Sequence, residues 1–215
     1  MDVAGPWHDA LDAKPAWPVV TWHGRTVDVV TEQQPYEVLE QRDGFEMRRY
    51  PPHLLAQVEI DGSFEDAGSR AFRALFRYIN GDNQSQRVVN MTAPVVQQRG
   101  GTEEIAMTAP VVQVEKTKGR HVVAFVLPAS MTLETAPLPL DPDIQVRAVP
   151  ERVAAARRYS GRWTESSYRR NLDALVAAVV AGGYVPVGAP RFARYDPPFK
   201  PWLLRRNEVI QDVTR

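Results

Sequence analysis

The stretch Phe45-Glu-Met-Arg-Arg-Tyr-Pro-Pro-His-Leu-Leu-Ala-Gln-Val-Glu-Ile60, followed by Asp61-Gly62-Ser63-Phe64, aligns without a gap to Ile144 through Tyr159, followed by Ser160-Gly161-Arg162-Trp163. The offset is ninety-nine residues, and it superposes Arg48 on Arg147, Pro51 on Pro150, Ala56 on Ala155, Gly62 on Gly161 and Arg70 on Arg169, with Phe64 opposite Trp163. Five identities alone are weak, but their order adds weight. Each copy runs from a strand-like segment through a glycine turn into a helical pattern and then into further strand. The reading is a duplicated unit, residues 45–80 and 144–179, in which strands surround one helix and each copy buries its sheet face against its twin.

The helical segments are sharply marked. Phe64 to Ile79 follows Ser63, whose hydroxyl can cap free amides, and Glu65 and Asp66 suit the positive end of the helix dipole. At a helical period Phe64, Ala67, Gly68, Ala71, Ala74, Leu75, Tyr78 and Ile79 form one apolar face, which Phe72 and Phe76 extend sideways. That arc is wider than one core contact requires, and Arg70, Arg73 and Arg77 adjoin it as a cationic strip. The second helix, Glu165 to Ala181, is expected to bury Tyr168, Leu172, Leu175, Val176, Val179 and Val180 and to stop at Gly182-Gly183. It lacks the aromatic and arginine flank. Strands are expected over Glu37 to Glu40, His121 to Leu127, Phe192 to Tyr195 and Glu208 to Val213.

A shorter repeat lies between these units: Met-Thr-Ala-Pro-Val-Val-Gln occurs at Met91 to Gln97 and again at Met107 to Gln113. Each copy reads as a strand with Val-Val at its buried end, and Gly100-Gly101 offers the positive φ of a hairpin turn between them. Pro94 and Pro110 cannot donate to a ladder, so they belong at strand starts, bulges or sheet edges.

Composition narrows the function classes. Twenty-six basic and twenty-six acidic side chains cancel, so no global field favours nucleic acid. The absence of cysteine removes disulfides, thiolate metal ligands and a cysteine nucleophile. Met1 to Gln34 contains no apolar run of signal or membrane length, which makes a cytoplasmic location with no membrane partner the plain expectation. No nucleophile–base pair, phosphate loop or paired metal motif is visible, so the reading leans away from an enzyme and assigns no catalytic residue.

Several motifs in one order resemble the SOUL or haem-binding protein family. They are Tyr36-Glu-Val-Leu-Glu-Gln-Arg-Asp-Gly-Phe-Glu-Met-Arg-Arg-Tyr50, Leu75-Phe-Arg-Tyr-Ile-Asn-Gly81, both Met-Thr-Ala-Pro-Val copies, Leu133-Glu-Thr135, Tyr195-Asp-Pro-Pro198 and Leu204-Arg-Arg-Asn-Glu-Val209. One departure is Val88-Val89-Asn90 before the first copy, where a lead-in like Glu104-Ile105-Ala106 is expected. The resemblance implies an α+β fold, a distorted antiparallel β-barrel of two pseudo-symmetric halves, each packing one helix. It covers a single domain over residues 36–215 and leaves residues 1–35 as an extension. Trp7, Trp17 and Trp22 suggest that this extension docks on the barrel.

The resemblance further implies reversible binding of haem or another porphyrin in a shallow apolar groove beside the first helix, with a carrier or buffer role. Carried over by position, Phe72 and Phe76 lie against the macrocycle and Arg77, assisted by Arg73 or Arg70, pairs with its carboxylates. Axial ligation needs a neutral imidazole or a thioether. Among His8, His23, His53 and His121 only His53 is a weak metal candidate, and Met91 and Met107 read as core fillers.

A second reading starts from the similarity of such a two-fold barrel to gyrase-inhibitor-like effector-binding domains. It places a small apolar ligand, or hydrolase-like chemistry, in the cleft between the halves at Glu208 with Trp163 or Tyr168. Glu208 beside Arg205 and Arg206 also reads as a plain salt bridge. A third reading is a protein-interaction module to which Pro137 to Pro142 and Asp196 to Trp202 contribute, although no obligate protein partner is expected.

Overall fold

The computed structural model describes residues 20–22, 25–27, 32–86, 101–197 and 199–215. The first Met-Thr-Ala-Pro-Val copy, Gly100, Trp7, Trp17, His8 and His23 lie outside these residues. The chain divides into two units, Met1–Val30 and Thr31–Arg215. In the first, β1 (Val20–Trp22) pairs antiparallel with β2 (Arg25–Val27).

The second unit runs through β3 (Glu32–Gln33), β4 (Glu37–Arg42), β5 (Phe45–Tyr50), β6 (His53–Asp61), α1 (Phe64–Ile79), β7 (Asn83–Gln84), β8 (Thr108–Ala109), β9 (Val111–Thr117) and β10 (Arg120–Val126). It continues with β11 (Leu138–Pro139), β12 (Gln145–Val149), β13 (Arg152–Tyr159), α2 (Glu165–Ala181), β14 (Val185–Arg194), a 3₁₀ turn at Trp202–Leu204 and β15 (Asn207–Thr214).

Both helices begin and end where periodicity and capping place them. The Ser63 hydroxyl accepts from the Asp66 amide at 3.2 Å, and the Thr164 hydroxyl accepts from the Ser167 amide at 3.3 Å. On α2 the buried positions are Tyr168, Leu175 and Val179, spaced seven and four residues apart. Val180 was expected to join them but is exposed, because it stands about 100° around the axis from Val179.

Nine strands form one antiparallel sheet in the order β12-β6-β10-β9-β14-β15-β13-β5-β4. The strands flanking Pro51-Pro52 do not pair with each other: β5 pairs with β13, and β6 pairs with β12. A Pro-Pro link holds extended dihedrals and cannot make the positive-φ turn of a two-residue hairpin, so the chain runs on to a distant partner. In consequence β9 and β14 meet at the centre, joined by Phe192↔Gln113, Ala193↔Val112 and Arg194↔Val111.

The expected closed barrel is not what the strand order shows. Among the described residues β12 and β4 are the two ends of an open sheet. Glu37, Glu40 and Arg42 put charge along β4, and a register shift falls between Val38 and Glu40, two features that discourage further pairing at an edge.

Side chains alternate cleanly across the sheet. On one face Leu54, Ala56, Val58, Val123 and Phe125 pack against Ala71, Leu75 and Tyr78 of α1. On the same face Phe45, Met47, Phe192 and Val209 pack against Tyr168, Leu175 and Val179 of α2. Phe64, the first residue of α1, belongs to the α2 cluster and stacks on Tyr168 at a centroid distance of 5.3 Å. The opposite face carries Leu55, Val112, Ala124, Val126 and Val149, and beside them Tyr50, Ala154, Ala156, Ala193, Tyr195 and Ile210.

In the second Met-Thr-Ala-Pro-Val copy, Thr108–Ala109 pairs parallel with β3, and Pro110 separates β8 from β9 after a cis peptide bond. Placement between two strands removes the need for the ladder donor that proline lacks.

Candidate functional site

Phe72 and Phe76 lie one turn apart on α1 with their rings stacked at 5.6 Å. Phe72 is half-buried and meets Phe125 of β10 edge-on at 5.3 Å, whereas Phe76 is 43% exposed. The pair therefore runs from the core to solvent as one continuous aromatic surface. Its floor is fixed by the sheet and its outer ring is open.

The adjoining arginines differ. Arg77 lies 3.7 Å from Asp82 and 3.6 Å from Asp141; Arg77 and Asp82 are exposed and Asp141 is half-buried. Arg70 donates to the Asp61 carbonyl at 2.7 Å, closing the turn before the helix. Arg73 is exposed, and among the described residues it makes no ion pair. It stands three residues before Phe76 and four before Arg77, hence on the same flank.

Glu208, Trp163 and Tyr168 do not form one cleft. Trp163 and Tyr168 belong to the helix side of the sheet, where the Trp163 indole donates to Asn207 Oδ1 at 2.7 Å. Glu208 follows Asn207 on β15, so its side chain points to the opposite face. There it is 0% exposed and bound on all sides. Arg48 donates to it at 2.7 and 3.2 Å, Arg206 at 2.7 and 3.0 Å, and the Tyr195 hydroxyl at 2.9 Å.

Between Arg48 on β5 and Glu208 on β15 lies β13, whose Ala154 and Ala156 are small enough for the guanidinium to cross. Burial pushes the Glu208 carboxyl up, but Arg48 and Arg206 more than offset this and hold it below the usual carboxylate range. Burial and the neighbouring carboxylate drive the Tyr195 hydroxyl well above its ordinary value. A buried carboxylate whose acceptors are taken by two guanidinium groups and a phenol is built as an ion-pair keystone between β5 and β15.

The face away from the helices also carries a groove of about 200 Å³. Its floor includes Leu55, Val112, Ala124 and Val126, and Arg147, Arg152 and Arg191 stand at its rim. Arg152 and Arg191 share Asp212, at 2.8 Å and at 2.6 and 3.0 Å, which leaves the rim with surplus positive charge. His53 opens this rim with Nδ1 2.9 Å from the Pro51 carbonyl. Burial lowers its pKa first, and the same three arginines lower it further. Among the described residues no group of three or more His, Asp or Glu is arranged to hold a metal ion.

Sequence reasoning missed Arg194. It is buried on the helix side with its guanidinium 4.9 Å from the Phe192 ring and 5.1 Å from the Trp163 ring. It donates to Gln113 Oε1 at 2.7 Å, while its Nε and the Tyr159 hydroxyl are without partners among the described residues. Burial brings its pKa down to about 10. Gly68 makes room for it: a Cβ there would fall 2.2 Å from Arg194 Nη1. Gly68→Ala is therefore expected to destabilise the fold by about 1–3 kcal/mol in urea denaturation, although alanine is the better helix former by ~1 kcal/mol.

The sequence profile of the SOUL heme-binding protein family matches residues 31–212. The chain belongs to this family. Heme-binding protein 1 of Xenopus tropicalis is 26% identical over 172 residues, which cover 79% of this chain and 84% of the relative. The EcmrR C-terminal domain superposes with a TM-score of 0.55 at 12% identity, covering 84% of this chain and 98% of its own. A hydrolase from Listeria innocua superposes at 0.54 and 9% identity, covering 82% and 94%. At such identities these two structures share the fold alone. The family match makes haem or a related tetrapyrrole the general ligand class, and it leaves the placing of that ligand to the geometry above.

Proposed function

We propose that the protein is a cytoplasmic carrier or buffer that binds haem or a related tetrapyrrole reversibly beside α1, without bond chemistry. One face of the macrocycle rests on Phe72 and Phe76, and its propionates reach Arg73 and Arg77. The observation that carries this reading is the stacked, half-open aromatic pair next to a guanidinium that makes no ion pair among the described residues. Burying an exposed ring against a planar ligand stabilises the complex, and a guanidinium orients a carboxylate through paired hydrogen bonds. Titration with hemin and with metal-free protoporphyrin tests it. One-to-one saturation by both supports a site built on stacking and charge, whereas failure of either to saturate removes it.

A second reading rests on the groove opposite the helices. Its volume of about 200 Å³ falls below the roughly 300–1,000 Å³ of drug-sized ligand sites, too small to enclose a porphyrin. Its apolar floor and arginine rim instead suit a small amphipathic carboxylate. Decanoate is expected to bind in calorimetry, and Val122→Phe, which fills the groove, to weaken it about tenfold or more while leaving hemin binding unchanged. Equal decanoate affinity for both proteins removes this second reading.

A further inference from the structure

The loop between β14 and β15 turns its apolar side chains outward. Phe199, Trp202, Leu203 and Leu204 are 62%, 42%, 63% and 66% exposed, four large apolar residues within six positions. Such a run is not an ordinary loop surface.

The loop is nevertheless well fastened, and polar groups do the fastening. The Tyr195 amide donates to the Arg206 carbonyl at 3.2 Å, closing its base. Within it, the Lys200 amide donates to the Pro197 carbonyl at 3.2 Å and the Leu204 amide to the Pro201 carbonyl at 2.9 Å. Lys200 Nζ meets Asp196 at 2.6 Å, Arg205 Nε donates to the Lys200 carbonyl at 2.8 Å, and the Asp196 carboxylate also accepts from the Arg206 amide. The apolar side chains thus contribute little to holding the loop, and the loop holds them out.

Cations surround the tip. The Arg162 guanidinium sits 5.3 Å from the Trp202 ring and that of Arg205 sits 4.3 Å from the Trp163 ring, with Lys200 on the loop itself. Asp196, the acidic residue in this loop, is matched by Lys200, and Arg206 is matched by Glu208, which leaves the two ring-stacked arginines as the collar. A protruding apolar tip with a basic collar complements an interface that is apolar inside and anionic at its surface.

We propose that the Phe199–Leu204 loop docks the protein reversibly on anionic lipid bilayers, with Leu203, Leu204, Trp202 and Phe199 entering the headgroup boundary and Arg162 and Arg205 facing lipid phosphates. No helix among the described residues is long and apolar enough to cross a membrane; the proposed contact is a peripheral one made by the loop tip. A few side chains of this size give weak, salt-sensitive attachment. The inference is independent of any tetrapyrrole and concerns the ligand-free protein.

The test is flotation of the full chain with phosphatidylcholine vesicles, alone or with about a third of phosphatidylserine. Binding is expected to the anionic vesicles only and to fall at high salt. Leu203→Ser combined with Leu204→Ser, and separately Trp202→Ala, are expected to reduce partitioning about tenfold or more, whereas Val180→Ser, at an exposed position on α2, is expected to leave it unchanged. The loop side chains are exposed, so unchanged thermal unfolding of the variants verifies their fold. Absence of flotation with anionic vesicles overturns the proposal, as does equal flotation of the double variant. Conversion of a wild-type dimer to a monomer by the double variant, read by light scattering, also overturns it and assigns the loop to contact between copies.

Discussion

Glu208→Ala is expected to lower the free energy of unfolding by about 3–5 kcal/mol, the largest loss from any single polar substitution in this fold. The carboxylate receives four guanidinium hydrogen bonds and one phenol hydrogen bond at 0% exposure. Its removal leaves Arg48, itself buried, facing Tyr50 and the Ala154 and Ala156 side chains of β13 without its main counter-charge. Glu46 also contacts Arg48, at 2.7 Å, but is only partly buried and cannot replace the lost partner.

The same network sets an acid limit. Because the folded-state pKa of Glu208 lies below its unfolded value, the stability it contributes is complete above the ordinary carboxylate pKa of about 4.3. That contribution is lost as pH falls through the depressed folded value. Urea midpoints recorded between neutral and strongly acidic pH should therefore fall more steeply for wild type than for Glu208→Ala. Parallel curves would mean that Glu208 is not the group whose protonation matters.

Only half of this keystone is legible in the sequence. The strip Arg205-Arg206-Asn207-Glu208 marks a charge pair, and strand alternation puts 206 and 208 on one face, so the Arg206 contact was within reach. The Arg48 contact was not, because it spans 160 positions and depends on β5 pairing with β13 and not with its neighbour β6. Register between distant strands leaves little local trace in composition or periodicity. For the same reason the grouping of Trp163 and Tyr168 with Glu208, which rests on the likeness to a two-fold barrel with a cleft between its halves, misses that they lie on opposite sides of the sheet.

Helices were more legible because their signals are local. Ser63 capping, the apolar spacing of α1 and the Gly182-Gly183 stop each act within a turn or two, and the boundaries of α1 and α2 followed from them. The wide apolar arc of α1 was likewise visible. What that arc could not show was its division, with Phe72 committed to Phe125 on one side and Phe76 left open on the other. Arg194 was hidden for a different reason. An arginine in a strand reads as surface, and only the missing side chain at Gly68, on a helix far away in sequence, creates its buried site.

The division of the aromatic pair sets the second large effect. Phe76→Ala is expected to weaken hemin and protoporphyrin binding between about ten- and a hundredfold, since about 100 Å² of ring contact at roughly 25 cal/mol per Å² is worth about 2.5 kcal/mol. Stability should change little, because the ring is 43% exposed and contributes modestly to the core. Phe72→Ala should weaken binding as well, but it also withdraws the Phe125 contact and should lower the unfolding free energy by about 2–4 kcal/mol. The two variants together separate a ligand surface from a packing surface.

The arginines add a finer distinction. Arg73 can turn to a propionate without giving up an ion pair among the described residues, whereas Arg77 must leave Asp82 and Asp141. Both pairs are long and Arg77 itself is exposed, so they are worth little and the exchange is feasible but dilutes the net gain. Arg73→Ala should therefore cost more affinity than Arg77→Ala, and the gap should narrow in Asp141→Asn, where Arg77 is released. Esterifying the propionates should abolish the effect of both arginine variants while leaving that of Phe76→Ala in place. If the ester instead binds with full dependence on Arg73, the guanidinium is not reading carboxylates and the orientation proposed for the macrocycle is wrong.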